Sequence, residues 1–156
     1  MNYTRRDLSL LLPALAAATA AAQEQKQRGR ADPTAPTLTV IGALPTKIFK
    51  YEDLPVKVNG QNKGRAVLNG ETHQGYAIEM HMTELGPGQA PHAPHKHVHE
   101  EMVMLQTGTL ETTVNGQTAT MTAGSTAYIA SNDLHGWRNP GTTPAQYFVI
   151  AFGGNA

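Results

Sequence analysis

Gly88-Gln89-Ala90-Pro91-His92-Ala93-Pro94-His95-Lys96-His97-Val98-His99-Glu100-Glu101-Met102-Val103-Met104-Leu105-Gln106-Thr107-Gly108 is the stretch on which the reading of this chain turns. Four of the seven histidines fall within eight positions, and two glutamates follow at once. Imidazole is the commonest metal-binding side chain near neutral pH, and carboxylate completes a mixed nitrogen and oxygen shell. His95 and His97 are two apart, so on extended backbone both rings leave the same face. Glu101 lies four beyond His97, within reach of the same point after a short turn. The run then turns apolar and stops at Gly108, a strand followed by a turn. This pattern describes a metal site built on the end of a strand.

Working outward, short β-prone pieces surround this stretch. Towards the C-terminus, residues 109–114 and 117–122 flank Asn115-Gly116, the strongest short-range hairpin signal. Ala123-Gly124 turns the chain into residues 125–130, and Ser131-Asn132-Asp133 turns it again before His135-Gly136-Trp137-Arg138-Asn139. Residues 145–152 form a last apolar strand. Towards the N-terminus, Tyr76, Ile78, Met80 and Met82 alternate with Ala77, Glu79, His81 and Thr83, the period-2 signature of a strand over 75–85. Residues 38–41, 46–51 and 64–68 are shorter strand candidates, and 53–63 reads as a loop or irregular edge. Outside the first residues, no ten-residue segment has helical periodicity. Many short strands with Gly, Pro and Asn turns argue an all-β sandwich or barrel.

The first 22 residues read as an address. Thr4-Arg5-Arg6-Asp7-Leu8 resembles a twin-arginine export signal, and the weakly apolar run after it ends in Ala20-Ala21-Ala22, an A-x-A cleavage pattern. A Sec signal that carries two arginines, or an anchor that stays attached, fits the same residues. Residues 23–37 are polar and Pro-containing, a linker. The expected organisation is therefore signal peptide 1–22, linker 23–37 and one domain over 38–156, with a periplasmic or secreted destination. The 12 Lys and Arg balance 12 Asp and Glu, so there is no electrostatic footprint for nucleic acid, and no stable membrane insertion is expected after cleavage. Cysteine is absent, which excludes disulfides, thiolate metal sites and a cysteine nucleophile.

These residues resemble the cupin superfamily, in its small single-domain form. Its first motif, G(X)5HXH(X)3-4E(X)6G, is met by His95, His97, Glu101 and Gly108, with Gly88 one position further out than the pattern prefers. Its second, G(X)5PXG(X)2H(X)3N, is met in spacing by Gly124, His135 and Asn139; Ala130 replaces the proline and Asn132 the glycine. Asn tolerates left-handed backbone, so that exchange is mild. The resemblance spans residues 72–152. It implies a jelly-roll (double-stranded β-helix) barrel holding one divalent transition metal ion on His95, His97, Glu101 and His135, with open coordination positions. Mn or Fe is favoured, and Ni, Co, Cu and Zn suit the same donors. Glu100 is an alternative to Glu101 should the turn be one residue shorter.

Other residues carry weaker expectations. His92 and His99 fall outside the motifs as rim or turn residues, although His99 shares parity with Glu101. His73 reads as surface. Tyr76, Met80 and Trp137 are candidate pocket residues, with plain packing as the plainer alternative. Glu79 and His81 read as solvated, or as an acid/base pair if they face the metal instead. The expected function is a metal-dependent enzyme on a small organic substrate, dioxygenase-like or otherwise oxidative. A non-catalytic metal- or ligand-binding protein, or an isomerase, decarboxylase or lyase, would use the same shell. By analogy with the family, a homodimer is expected.

Overall fold

The computed structural model describes residues 42–153; the segments read as signal and linker and the strand candidate at 38–41 lie outside the described residues. Nine strands appear among the described residues: β1 (Val56–Asn59), β2 (Asn62–Glu71), β3 (Ala77–Leu85), β4 (Glu100–Thr107), β5 (Thr109–Val114), β6 (Gln117–Thr122), β7 (Thr126–Ile129), β8 (His135–Arg138) and β9 (Ala145–Phe152). They form a six-stranded sheet in the order β1-β2-β3-β9-β4-β7 and a three-stranded sheet in the order β6-β5-β8, with every pairing antiparallel. A 3-10 turn at Tyr51–Asp53 is the helical element among the described residues.

Local chemistry explains the turns. Asn115 and Gly116 both adopt positive φ, 48° and 81°. That is the geometry whose twist matches the flanking strands, and it locks β5 to β6 from Val114 opposite Gln117 to Thr109 opposite Thr122. Asn132 has φ 63°, so asparagine does hold the left-handed turn that glycine holds in the motif.

The core lies between the two sheets. Residues opposite one another on neighbouring strands share a face, so the register sorts the large sheet into rungs. Leu85 pairs with Ala145, and Leu105 and Thr83 both pair with Tyr147; His81 and Val103 both pair with Val149, and Glu79 and Glu101 both pair with Ala151. All of these point inward. The first rungs join Leu110, Met121 and Trp137 of the small sheet in one buried apolar cluster. Moving along the barrel towards Ala151, the inner face changes from apolar to ionisable. That polar end is where the two motifs meet.

Three segments differ from the expectation. Residues 46–50 are irregular instead of a strand. The segment 53–63, read as a loop or irregular edge, holds β1, the edge strand of the large sheet, and the turn into β2; Val56-Lys57-Val58-Asn59 alternates, but four exposed residues between Pro55 and Gly60 are too few to mark a buried face. The third is the facing of β3. Met80 pairs with Ile150 and Met82 with Phe148 on the outer face, where both methionines line an apolar groove of about 600 Å³ with Phe49, Tyr51, Leu54 and Phe148. Tyr76 precedes the strand and is 64% exposed. Neither Met80 nor Tyr76 lines the interior. Hydrophobic alternation identifies an apolar face, and here the outer face of the sheet is also covered.

Candidate metal centre

Two segments far apart in the chain are joined by backbone pairing. His95 and His135 exchange both N–H···O bonds, each 2.9 Å, as an isolated antiparallel bridge. Residues paired in this way project side chains to the same side, so both rings enter the polar end of the barrel. Asn132 N–H donates to His97 O at 2.8 Å and pins the next loop position to the turn before β8. Glu101 enters from β4, one residue into the strand. Glu100 pairs with Phe152 and faces the opposite side.

His97, Glu101 and His135 are buried, at 2%, 8% and 1% exposure, and His95 is half-buried. Nitrogens of His95, His97 and His135 lie within 4.8 Å of one another, as do donor atoms of His97, His99 and Glu101. Glu101 Oε1 is 3.3 Å from His97 Nε2, and Oε2 is 3.4 Å from His135 Nε2. Two donors each about 2.1 Å from a common ion are separated by about 3.0–3.4 Å at octahedral to tetrahedral angles, so these spacings suit ligands sharing one centre.

The tautomers are also set. His97 Nδ1 donates to His99 O at 2.7 Å, and His135 Nδ1 donates to Asp133 O at 2.8 Å. A carbonyl only accepts, so each Nδ1 carries the proton and each Nε2 presents a lone pair. Those two Nε2 atoms, His95 Nδ1, His99 Nδ1 and Glu101 Oε2 are buried without an aligned hydrogen-bond partner. Buried polar atoms are rarely left so, and such a cluster of neighbouring donors fits a cation. The residues present therefore suit the metal that the motifs imply.

Electrostatics agree. Burial would raise the Glu101 carboxyl, but the imidazoles of His135, His97 and His99 outweigh it and hold the group well below the usual carboxylate range. Burial, with His92, His135 and His97 nearby, pushes His95 down to about 4 against the opposing pull of Glu101. Burial would also lower His135, yet Glu101 and the Asp133 carbonyl raise it. In metal-free protein, His95 has its folded value below its unfolded one. Its contribution is thus fully present above pH 6.5 and is lost as pH falls towards about 4. Glu101 acts in the same direction below 4.5, whereas the His135 contribution is present below 6.5 and lost as pH rises through its raised value. Chelator-treated protein should therefore be most stable slightly above pH 6.5 and weaken steadily towards pH 4. Urea midpoints across that range check this, and a midpoint that rises on acidification from 6.5 to 4 would contradict it.

His99 stands closer to the site than a rim residue. Its ring stacks on His97 at 3.6 Å between centroids, and its Nε2 lies 3.5 Å from Glu101 Oε1. It is placed to hold the carboxylate and the His97 ring in position. Outer partners of metal ligands typically matter 10- to 100-fold in affinity, so His99→Gln should weaken metal binding by about tenfold or more in competition with a chromophoric chelator. Parity with Glu101 was the signal for it in the sequence. His92 packs edge-on against His95 at 4.3 Å, and Trp137 is buried beside His135, with ring centroids 6.0 Å apart. Glu79 and His81 face inward with Glu101.

Comparisons with known proteins agree with this architecture. Residues 81–151 match the family model described as a cupin domain. An RmlC-like cupin from Shewanella frigidimarina superposes with a TM-score of 0.58 at 18% identity, over 70% of this chain and 94% of that one. The polyketide cyclase RemF from Streptomyces resistomycificus gives 0.59 at 15% identity, over 69% and 80%. A predicted oxalate decarboxylase from Thermotoga maritima gives 0.56 at 16%, over 67% and 97%. The curated proteins contain no match. The fold is therefore the cupin barrel of two antiparallel sheets, and the matched cupin domain takes in both the HXH segment and His135.

Proposed function

We propose that this chain is a metal-dependent enzyme acting on a small, oxygen-bearing organic molecule, with oxidative, dioxygenase-like chemistry favoured. The observation that carries the reading is the convergence of unpartnered donor atoms from His95, His97, Glu101 and His135 inside the barrel. These four residues would hold the ion. A bound transition metal supplies Lewis acidity and, for Mn or Fe, redox chemistry towards oxygen. The protein supplies imidazoles at His97 and His135 fixed with the proton on Nδ1 and the Nε2 lone pair free, an anionic carboxylate at neutral pH and an apolar wall at Trp137. Structural neighbours whose names include a cyclase and a decarboxylase keep isomerase, decarboxylase and lyase chemistry in view, each served by the same donors.

Export through the twin-arginine route belongs to the same proposal. Such proteins fold before crossing, so the ion could be inserted in the cytoplasm, away from copper and zinc, which otherwise win on affinity. Mn or Fe is accordingly the expected native metal. Oxygen uptake by Mn- and Fe-loaded full-length protein with diphenols, flavonols, keto acids and dicarboxylates tests the activity, and uptake with at least one class is expected. Silence across all metals and substrates would leave a binding protein. Stoichiometric copper or zinc in material purified from the periplasm would count against the metal assignment.

A further inference from the structure

The inner face of β3 brings a second ionisable group into the same chamber. Glu79 and Glu101 are both register partners of Ala151, so they lie on one rung with only a methyl group between them. Two strand spacings of about 4.8 Å put their backbones about 10 Å apart on the same inner face. His81 stands on the next rung beside Val149. Its Nδ1 is 3.1 Å from both Glu79 oxygens. A carboxylate facing Nδ1 in this way makes that nitrogen the donor and leaves Nε2 with its lone pair. No hydrogen bond occupies Nε2 among the described residues. Both side chains are only partly shielded, at 37% exposure for His81 and 21% for Glu79, so they border the chamber without being sealed from it. The rung also carries Asn69, the partner of Glu79 on β2, whose Oδ1 is buried without a hydrogen-bond partner.

We propose that His81, oriented by Glu79, is the proton acceptor for a molecule bound between β3 and the His95, His97, Glu101, His135 cluster. This rests on the metal-site reading above and adds to it the group that moves the proton. His81 Nε2 takes a proton from a ligand hydroxyl, and the electron pair of the broken O–H bond stays on the ligand oxygen. The imidazolium formed is stabilised by the Glu79 carboxylate and returns its proton to product or water. This base–carboxylate arrangement needs an oriented ring and a charge to hold it, and both are present. It also defines the ligand class: small molecules with an acidic hydroxyl, such as enols, catechols and 2-hydroxy acids. The ionisable groups of the neighbouring cluster are Glu101 from β4, His135 from β8, and His95, His97 and His99 from the segment leading into β4; Asn69 pairs with Glu79 on β2.

The test uses zinc-loaded full-length protein and 4-nitrocatechol, whose dianion has its own visible absorption. Zinc content by elemental analysis should be equal in the parent, His81→Gln and Glu79→Gln. In the parent the bound probe should form its dianion at lower pH than in His81→Gln, with the midpoint rising by about one unit or more in that variant. Glu79→Gln, which keeps a hydrogen-bonding side chain but no charge, should give a smaller rise. Equal midpoints with full zinc would overturn the assignment of His81 while leaving the metal site standing. Loss of zinc in His81→Gln would overturn it by making His81 part of the ion's own shell. If the probe bound to none of the zinc-loaded proteins, the open-position reading would fail and the proton acceptor with it.

Discussion

Replacing His97 and His135 together by alanine is expected to abolish stoichiometric metal binding. Each residue offers a buried Nε2 whose Nδ1 proton is committed to a backbone carbonyl, so neither ring can present its other nitrogen without breaking that bond. Metal affinity from a full set of protein donors is on the order of 10 kcal/mol or more, and removing two of four should lower affinity on the order of a thousandfold at least. Elemental analysis after dialysis against a weak chelator reads the outcome directly. Thermal stability gives a second reading. A ligand bound only by the folded state stabilises by about 2.7 kcal/mol at one hundred times its Kd. The parent should therefore melt several degrees higher with added Mn or Zn, and the double variant should not respond. Parent-level metal in the double variant would remove the basis of the functional reading.

The route by which these side chains meet was legible in part. The resemblance carried by the spacing from His95 to Glu101 and from Gly124 to Asn139 implied one interior cluster. The hairpin at Asn115-Gly116 was readable because only certain residues accept that backbone. What spacing could not carry was the direct pairing of His95 with His135, a long-range backbone contact with no local signature. The face of β3 was misread for a physical reason. The apolar residues Met80 and Met82 cover the outer groove, whereas Glu79 and His81, register partners of Ala151 and Val149, share the inner face. Ala77 and Leu85, buried at the two ends of β3, share their parity and held the correct answer. Strand β1 left only a four-residue alternation, Val56-Lys57-Val58-Asn59, because all of its residues are exposed and it buries no face.

Asn139→Ala is expected to be the most destabilising single change in the domain. The spacing of the second motif ends on this residue, and its part in the fold follows from its bonds. The side chain is fully buried. Its Nδ2 donates to Leu85 O at 2.9 Å and to Thr143 O at 2.8 Å, while its Oδ1 accepts from Gly141 N–H at 2.9 Å. Its backbone exchanges bonds with the segment before the HXH residues, accepting from Gly88 N–H and donating to Gln89 O, both at 2.9 Å. One amide therefore ties the end of β3 to the loop leading into β9, and its own peptide units hold the start of the segment that carries His95 and His97. Alanine would leave two carbonyls and one N–H unpartnered, each costing about 1–3 kcal/mol when buried, so a loss of about 3–5 kcal/mol is expected after partial relaxation. That is a large share of the roughly 5–15 kcal/mol that holds a domain together, and the melting temperature should fall by about 10 °C or more. Asn139→Asp should do no better, since it exchanges the amide donor for an oxygen opposite two carbonyl oxygens. At low temperature, where the variant remains folded, metal stoichiometry should be unchanged, because Asn139 contributes no donor atom to the cluster. Denaturation in urea with and without metal separates the two effects. A loss below about 1 kcal/mol would mean that water replaces the amide freely. The second motif would then owe its terminal asparagine to something other than these three bonds.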